Sequence, residues 1–562
     1  MKREKKTVIR SAHVDTFARD RLPPKDAWPE FLFESKNVQY PALLNCASEL
    51  LDVHIRAGRG DARAVGMLVD GKPVFASYLQ LNAQTNRIAN VLTQKLGLVP
   101  GNRVLVRAPN HPMFAAIWLA AMKAGLIVVP TMPLLRAFEL QQVLKKSAAT
   151  VALCDAGLCD ELNTCMKPDA VTFAPALQRI VLFRSGEPGS LEQLMDGVSD
   201  QFKSVATRAD DISMLAFTSG TTGEPKATVH FHRDVLAMCD SFSRTVLKPD
   251  ASDLFIGTPP IAFTFGLGGQ LCFPLRVGAA VILIERLTPD LLLQAIETSG
   301  ATISFTAPTF YRQMALLLKA RGSSADKPLL KTLKKSVSAG EALPDAIRTM
   351  WRECTGIEMI DGIGSTEMMH IFISSAGADV RRGAIGRVVP GYQAMVVDDQ
   401  MRPAPFNTIG KLAVKGPTGC RYLDDERQSK YVREGWNLPG DAFTMDADGY
   451  FFYQARTDDM IISAGYNIAG PEVEAVLLSH EAVADCGVVG IADSERGQIV
   501  KAFVILKPHA EPGDGLIKAL QDFVKASIAP YKYPRAIEFC RELPRTETGK
   551  LQRFRLRADR AS

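Results

Sequence analysis

The chain has 562 residues, 47% of them hydrophobic and 23% charged, and its 66 basic and 61 acidic side chains leave a net charge of +5. That length exceeds one ordinary domain and allows for roughly two to four globular units with sizeable cores. The small, dispersed charge argues against nucleic-acid and membrane-surface partners, and the basic run Lys2-Arg3-Glu4-Lys5-Lys6 reads as a tail.

The first thirty residues lack the apolar core that a signal peptide needs. Residues 102–110 read as a strand, 112–125 as a helix and 126–131 as the next strand. Segment 115–130 is the most apolar, but it is short for a membrane span and carries Lys123, so it reads as a buried helix running into a buried strand. Cys154, Cys159 and Cys165 cluster without the histidines or paired short spacings of a zinc site, and the ten cysteines read as reduced thiols in the cytoplasm. Further apolar runs ending in turn residues lie at 214–217, 253–259, 279–285, 301–309 and 334–340, with a helical pattern at 310–320. Such alternation predicts an α/β fold, a large N-terminal body of parallel-rich sheets covered by helices. Ligands then bind beyond the carboxyl ends of the strands. From about Tyr450 the pattern changes to paired strands at 486–491 and 500–507 and a helix at 515–528, a small α+β module behind the body.

Several stretches carry chemistry. The loop Thr218-Ser219-Gly220-Thr221-Thr222-Gly223-Glu224-Pro225-Lys226 follows the apolar run 214–217 and offers many N–H and hydroxyl donors to phosphate. Lys226 adds a positive charge for the outer phosphates, though it does not directly follow a glycine as in the common P-loop. In DGIGSTEMMHIF (361–372), Glu367 beside Ser365 and Thr366 suits Mg2+, which takes one or two protein oxygens plus phosphate and water. Asp441 follows Gly440, the stretch 455–474 carries Arg456, Asp458, Asp459 and Gly465, and Lys550 lies in a Gly-containing turn. Taken singly, a Gly/Thr-rich surface turn, a helix-capping glutamate and solvated lysines explain these equally well.

In this order the stretches resemble the adenylate-forming enzymes, which comprise acyl- and aryl-CoA synthetases, carrier-loading adenylation domains and firefly luciferase. The loop fits that family's signature, Ser/Thr–Ser/Thr/Gly–Gly–Ser/Thr–Thr–Gly–x–Pro–Lys, at every position. The loop is followed, in the family's order, by SAGEALP (338–344), GSTE, Gly-Asp, Arg-x-Asp-Asp and the terminal P-x-T-x-x-G-K, so the resemblance covers nearly the whole chain. It implies a body over 1–454 holding ATP and an acid, and a mobile C-terminal domain over 455–562 that carries the catalytic Lys550. It also implies that Thr218 to Gly223 cradle phosphate, that Ala339, Gly340, Glu341, Asp361, Gly362 and Ile363 lie along the adenine, and that Thr366 and Glu367 meet phosphate and Mg2+. Asp441 and Arg456 would hold the ribose, Asp458 the hinge, and Gly465 and Tyr466 a tunnel for coenzyme A. Ile363 stands where the family often has an aromatic residue, so adenine packing there is expected to be aliphatic, and Pro439 replaces a usual threonine.

The implied reaction is attack by a carboxylate on the α-phosphorus of ATP, followed by capture of the acyl adenylate by the thiol of CoA. GSTEMMHIF and VHFHRDVL resemble benzoate-CoA ligases, and the segment 11–31 together with AFTFGLGG is more similar to 2-aminobenzoate-CoA ligases. The expected acid is therefore 2-aminobenzoate, with benzoate next and some tolerance of fluorinated benzoates. The resemblance sets Ala262, Phe263, Thr264, Gly340, Gly362, His370 and Ile371 around the ring, although buried hydrophobic residues and a lone histidine are also ordinary core. A carrier-loading domain would share every nucleotide motif, but the chain runs only a few residues beyond Lys550. A non-catalytic nucleotide sensor has no need of Lys550, Glu367 and a hinge. The expected partners are thus the aromatic acid, ATP and CoA, with a homodimer left open.

Overall fold

The computed structural model describes residues 9–218, 224–463, 466–493, 496–528, 530–545 and 551–558. Two parallel-rich sheets build the body. The first runs in the order Arg179–Phe183, Val151–Asp155, Arg103–Arg107, Ile127–Thr131, Ile212–Thr218 and Lys226–Phe231, and only its last pair is antiparallel. Every residue of strands Arg103–Arg107, Ile127–Thr131 and Val151–Asp155 is buried, which explains their unbroken apolar runs. The second sheet has nine strands, in the order Arg387–Val388, Ile371–Ser375, Ile360–Gly364, Lys335–Ala339, Ile303–Thr306, Leu254–Gly257, Ala280–Ile282, Arg63–Val69 and Lys72–Ser77. It is parallel from Ile360–Gly364 through Arg63–Val69. One continuous apolar core joins the two sheets.

The segment expected as a buried helix and strand forms the helix Pro112–Lys123 and the strand Ile127–Thr131. His111 caps the helix by accepting a hydrogen bond from the Met113 N–H at 3.0 Å, and Pro112 occupies the first turn, where no backbone donor is needed. At its far end the buried Lys123 ammonium donates to Asp52 at 2.5 Å, Asn82 at 2.6 Å and Asn86 at 2.9 Å. Among the described residues no helix is long and apolar enough to cross a membrane, and all ten cysteines are free.

A third, antiparallel sheet over residues 393–456 follows, built mainly on Gln393–Val397, Gly410–Lys415, Asp441–Met445 and Phe451–Arg456. Beyond it stands a separate C-terminal unit. Strands Val483–Asp493, Gly497–Leu506 and Ala536–Phe539 carry helices Gly470–Leu478 and Asp514–Ser527 over a core of their own that includes Val473, Leu477, Val488, Val504, Leu520 and Val524.

Lys123 links three segments through one buried charge, so removing it takes from the partly buried Asp52 its cationic partner and from Asn82 and Asn86 their donor. Lys123→Ala should lower unfolding stability by about 3 kcal/mol, and Lys123→Met, which refills the volume, by less. Urea unfolding checks this; an unchanged midpoint for Lys123→Ala contradicts it.

Candidate active site

Two of the sequence stretches singled out above, SAGEALP and the one that carries GSTE, start from neighbouring strands of the second sheet. Strands Lys335–Ala339 and Ile360–Gly364 lie side by side and parallel, with Ser338 opposite Asp361 and Ala339 opposite Gly362. Both chains therefore leave the sheet at the same carboxyl edge, where open α/β sheets hold ligands. Gly340 turns there with φ +92° and is exposed, a backbone conformation that side-chain-bearing residues rarely adopt. Gly362 has no room for a side chain, because a Cβ would lie 2.7 Å from Ile371 Cδ1. Ile363 and Glu341 are half-buried beside them.

Asp361 is buried, and its Oδ1 has no hydrogen-bond partner among the described residues. Burial pushes its carboxyl up to about 7, against the pull of Arg348.

Glu367 sits in the turn between strands Ile360–Gly364 and Ile371–Ser375 and is only 8% exposed, so its carboxylate needs donors. They come from a segment that sequence reasoning missed. The Tyr422 phenol donates to Glu367 Oε1 at 2.6 Å, and the Tyr431 phenol reaches Oε2 at 3.4 Å. Ser365 Oγ shares a 3.0 Å hydrogen bond with Tyr431 and accepts from the Met368 N–H at 3.2 Å. Met369, two residues on, is fully buried with φ +71°, a strained conformation of the kind found at ligand-holding turns. Lys226 opens the strand that follows the phosphate-type loop and stands 3.4 Å from the Tyr422 hydroxyl, over its ring. The loop's two ends, Thr218 and Lys226, are thus brought to Glu367's side of the molecule by the antiparallel pair Ile212–Thr218 and Lys226–Phe231. Glu367, Ser365 and Thr366 offer only oxygen, the donor set a hard divalent cation takes.

Tyr422 reaches this place because residues 421–423 run along the free edge of strand Lys226–Phe231. The Val229 N–H donates to the Arg421 carbonyl and the Leu423 N–H to that of Ala227. Buried Arg421 pairs with buried Asp234, fastening the segment from within. The sequence signal is weak, two tyrosines around a charged run, and no motif contains them.

Asp441 and Arg456 face each other across neighbouring strands, with Arg456 Nη1 3.1 Å from Asp441 Oδ1 and donating to the Pro439 carbonyl at 2.8 Å. Asp458 falls in the short helical turn Thr457–Asp459 and Tyr466 in the strand Tyr466–Ile468. Ser219, Gly220, Thr221, Thr222, Gly223, Gly465 and Lys550 lie outside the described residues.

The two segments expected around an acid also come together. Asn110 holds the turn before Ala262, donating to the Pro259 carbonyl at 3.1 Å and accepting from the Ile261 N–H at 2.8 Å. Phe263 is half-buried, Thr264 opens the helix Thr264–Leu267, and the Phe265 carbonyl lies 3.3 Å from His370 Nε2. The His370 ring is packed among Phe242, Phe265 and Phe273 at centroid distances of 5.5, 5.6 and 4.6 Å. Burial pushes His370 down to about 3, so it is neutral at ordinary pH, with its Nδ1 unpartnered among the described residues. Ile371 is buried beside it.

With this arrangement in view, the relatives are informative. The pattern of the AMP-binding enzyme family matches residues 54–421, and that of the AMP-binding enzyme C-terminal domain matches residues 472–550. A benzoate-CoA ligase of Thauera aromatica is 34% identical over 531 residues, 93% of this chain and 97% of that one. The crystal structure of the anthranilate CoA ligase AuaEII in complex with anthranoyl-AMP superposes with a TM-score of 0.85 at 32% identity, covering 93% of this chain and 98% of that one. A benzoate CoA ligase from Burkholderia xenovorans LB400 gives 0.81 at 30% identity, over 92% and 100%. The chain belongs to the AMP-binding enzyme family. It is an AMP-forming acid–CoA ligase, whose cofactors are ATP, Mg2+ and CoA.

The raised carboxyl of Asp361 has a thermodynamic consequence. The folded state holds the proton more tightly than the unfolded chain, so ionising Asp361 costs nothing below about pH 3.8, costs more as pH rises, and reaches its full penalty above about 7. Asp361→Asn should therefore gain stability relative to the parent between pH 5 and pH 8 without ligand, read as melting temperature; a constant difference across that range contradicts it.

Proposed function

We propose that the chain activates 2-aminobenzoate and converts it to the CoA thioester through an acyl adenylate, releasing AMP and pyrophosphate. The observation that carries the aromatic reading is the packing of segment 261–265 against His370, three residues from Glu367. Aromatic rings, a neutral imidazole and the Thr264 segment come together there, which supports a flat, compact acid as the substrate. Ala262, Phe263, Thr264, Gly340, Gly362, His370 and Ile371 would surround the ring. The likeness to the anthranilate ligase supports the 2-amino group, and the Thauera relative favours benzoate as the second reading.

A carboxylic acid is already ionised near neutral pH and needs no general base. What it needs is help in approaching a triphosphate, since both are anions. In this reading the transfer is an in-line displacement at the α-phosphorus, in which the protein positions the reactants and offsets charge. Lys550 stands between the carboxylate and the α-phosphate, while Lys226 and the backbone of Thr218 to Gly223 hold the departing pyrophosphate. Ala339, Gly340, Glu341, Asp361, Gly362 and Ile363 bound the adenine, and Asp441 and Arg456 take the ribose hydroxyls. Glu367, with Thr366, would hold Mg2+, which when bound neutralises charge on the phosphates. The second step brings the thiol of CoA to the acyl carbonyl. For it, the C-terminal domain over 455–562 turns on the body over 1–454 about Asp458, withdrawing Lys550 and presenting Gly465 and Tyr466 to the pantetheine.

Two measurements test this. With ATP, Mg2+ and CoA, a panel of aromatic acids should give 2-aminobenzoyl-CoA fastest by mass analysis and benzoyl-CoA next; the absence of any aryl-CoA product ends the reading. Lys550→Ala should abolish adenylate formation yet spare thioester formation from supplied acyl adenylate, and equal loss of both steps overturns its role.

A further inference from the structure

One side chain at the site belongs to no motif and touches both charged groups there. The buried Tyr422 hydroxyl lies 2.6 Å from Glu367 Oε1 and 3.4 Å from the Lys226 ammonium. A phenol has one proton to give. At 2.6 Å the phenol gives it to Glu367 Oε1. With the proton committed to Glu367, the oxygen can only accept from Lys226. A neutral hydroxyl thus bridges an ammonium and a carboxylate.

We propose that Tyr422 is a positioning residue that fixes Glu367 for the divalent cation and keeps Lys226 from pairing with it. The inference rests on the reading of Glu367 as the Mg2+ anchor. Without the shared hydroxyl, the ammonium and the carboxylate would be free to pair directly, taking the carboxylate from the metal and the lysine from phosphate. The phenol occupies one lone pair of Oε1 and leaves the rest of the carboxylate available. Tyr422 itself is held rigidly. Its N–H donates to Gln428 Oε1 at 2.8 Å, its neighbours Arg421 and Leu423 pair with strand Lys226–Phe231, and the Tyr431 ring packs edge-on against it at 5.7 Å. Tyr431 supports the same carboxylate through the longer contact to Oε2.

A tyrosine that merely filled the core would be replaced by phenylalanine without effect on metal dependence. The test is the free Mg2+ concentration giving half-maximal pyrophosphate release, at saturating ATP and acid, in the parent, Tyr422→Phe, Tyr431→Phe and Glu367→Gln proteins. Tyr422→Phe should raise it at least about ten-fold, the size of one charge-assisted hydrogen bond, while the rate at saturating Mg2+ falls by less than about three-fold. Tyr431→Phe should move it the same way by about three-fold or less, and it carries the test if Tyr422→Phe does not fold. If Glu367→Gln shifts the Mg2+ dependence and neither tyrosine variant does, the inference is wrong and the anchor stands. If Glu367→Gln leaves it unchanged as well, the anchor assignment falls and takes the inference with it.

Discussion

A carboxylate taken out of water has to be met by donors, and the arrangement of this site follows from how Glu367 is met. Its turn hangs from the edge of the nine-stranded sheet, while its two phenol partners come from a segment more than fifty residues later. That segment is anchored on the other parallel sheet, along strand Lys226–Phe231, by backbone pairing and by the buried Arg421–Asp234 ion pair. Both sheets and a connection within the third are thereby tied to one side chain. Breaking a buried pair such as Arg421–Asp234 costs far more than its net contribution to stability, so the tie resists loosening. Lys226 and the Glu367 turn can then keep a fixed spacing although they arise from different sheets.

That spacing matters because the chemistry joins two anions. The protein has to assemble positive charge and dipoles before the reactants meet, since reorganising them during the reaction would consume the advantage. Parallel strands make such assembly easy, because Lys335–Ala339 and Ile360–Gly364 end together and their loops open on one side. The segment over 261–265 packs its aromatic side chain Phe265 against His370, which burial keeps uncharged. In the proposed reading, such a neutral ring would offer no counter-charge to draw the substrate carboxylate away from the nucleotide.

Much of this is legible in the sequence where function is written in contiguous residues. The phosphate-type loop, the GSTE turn and the Gly-Asp turn each combine glycine with oxygen-bearing side chains over a few positions, and the alternation of apolar runs locates the strands Lys335–Ala339 and Ile303–Thr306. The helix Pro112–Lys123 is legible because its apolar pattern is too short for a membrane span and carries Lys123. Tyr422 and Tyr431 are not, because their role depends on a long-range edge pairing that leaves no periodic trace. The antiparallel sheet over 393–456 escapes for a related reason, since its strands are short and only partly buried. His370 shows the opposite case. The resemblance draws it to the ring, and the structure adds that its surroundings are a packed aromatic cluster, which makes it neutral.

The central claim is that an oxygen of the acid attacks the α-phosphorus of ATP. Turning over a benzoate or 2-aminobenzoate labelled with 18O in both carboxylate oxygens, with ATP, Mg2+ and CoA, and weighing the AMP tests it directly. The account predicts one labelled oxygen in each AMP and none in pyrophosphate. Label in a phosphate product other than AMP, or none transferred at all while thioester forms, would contradict it.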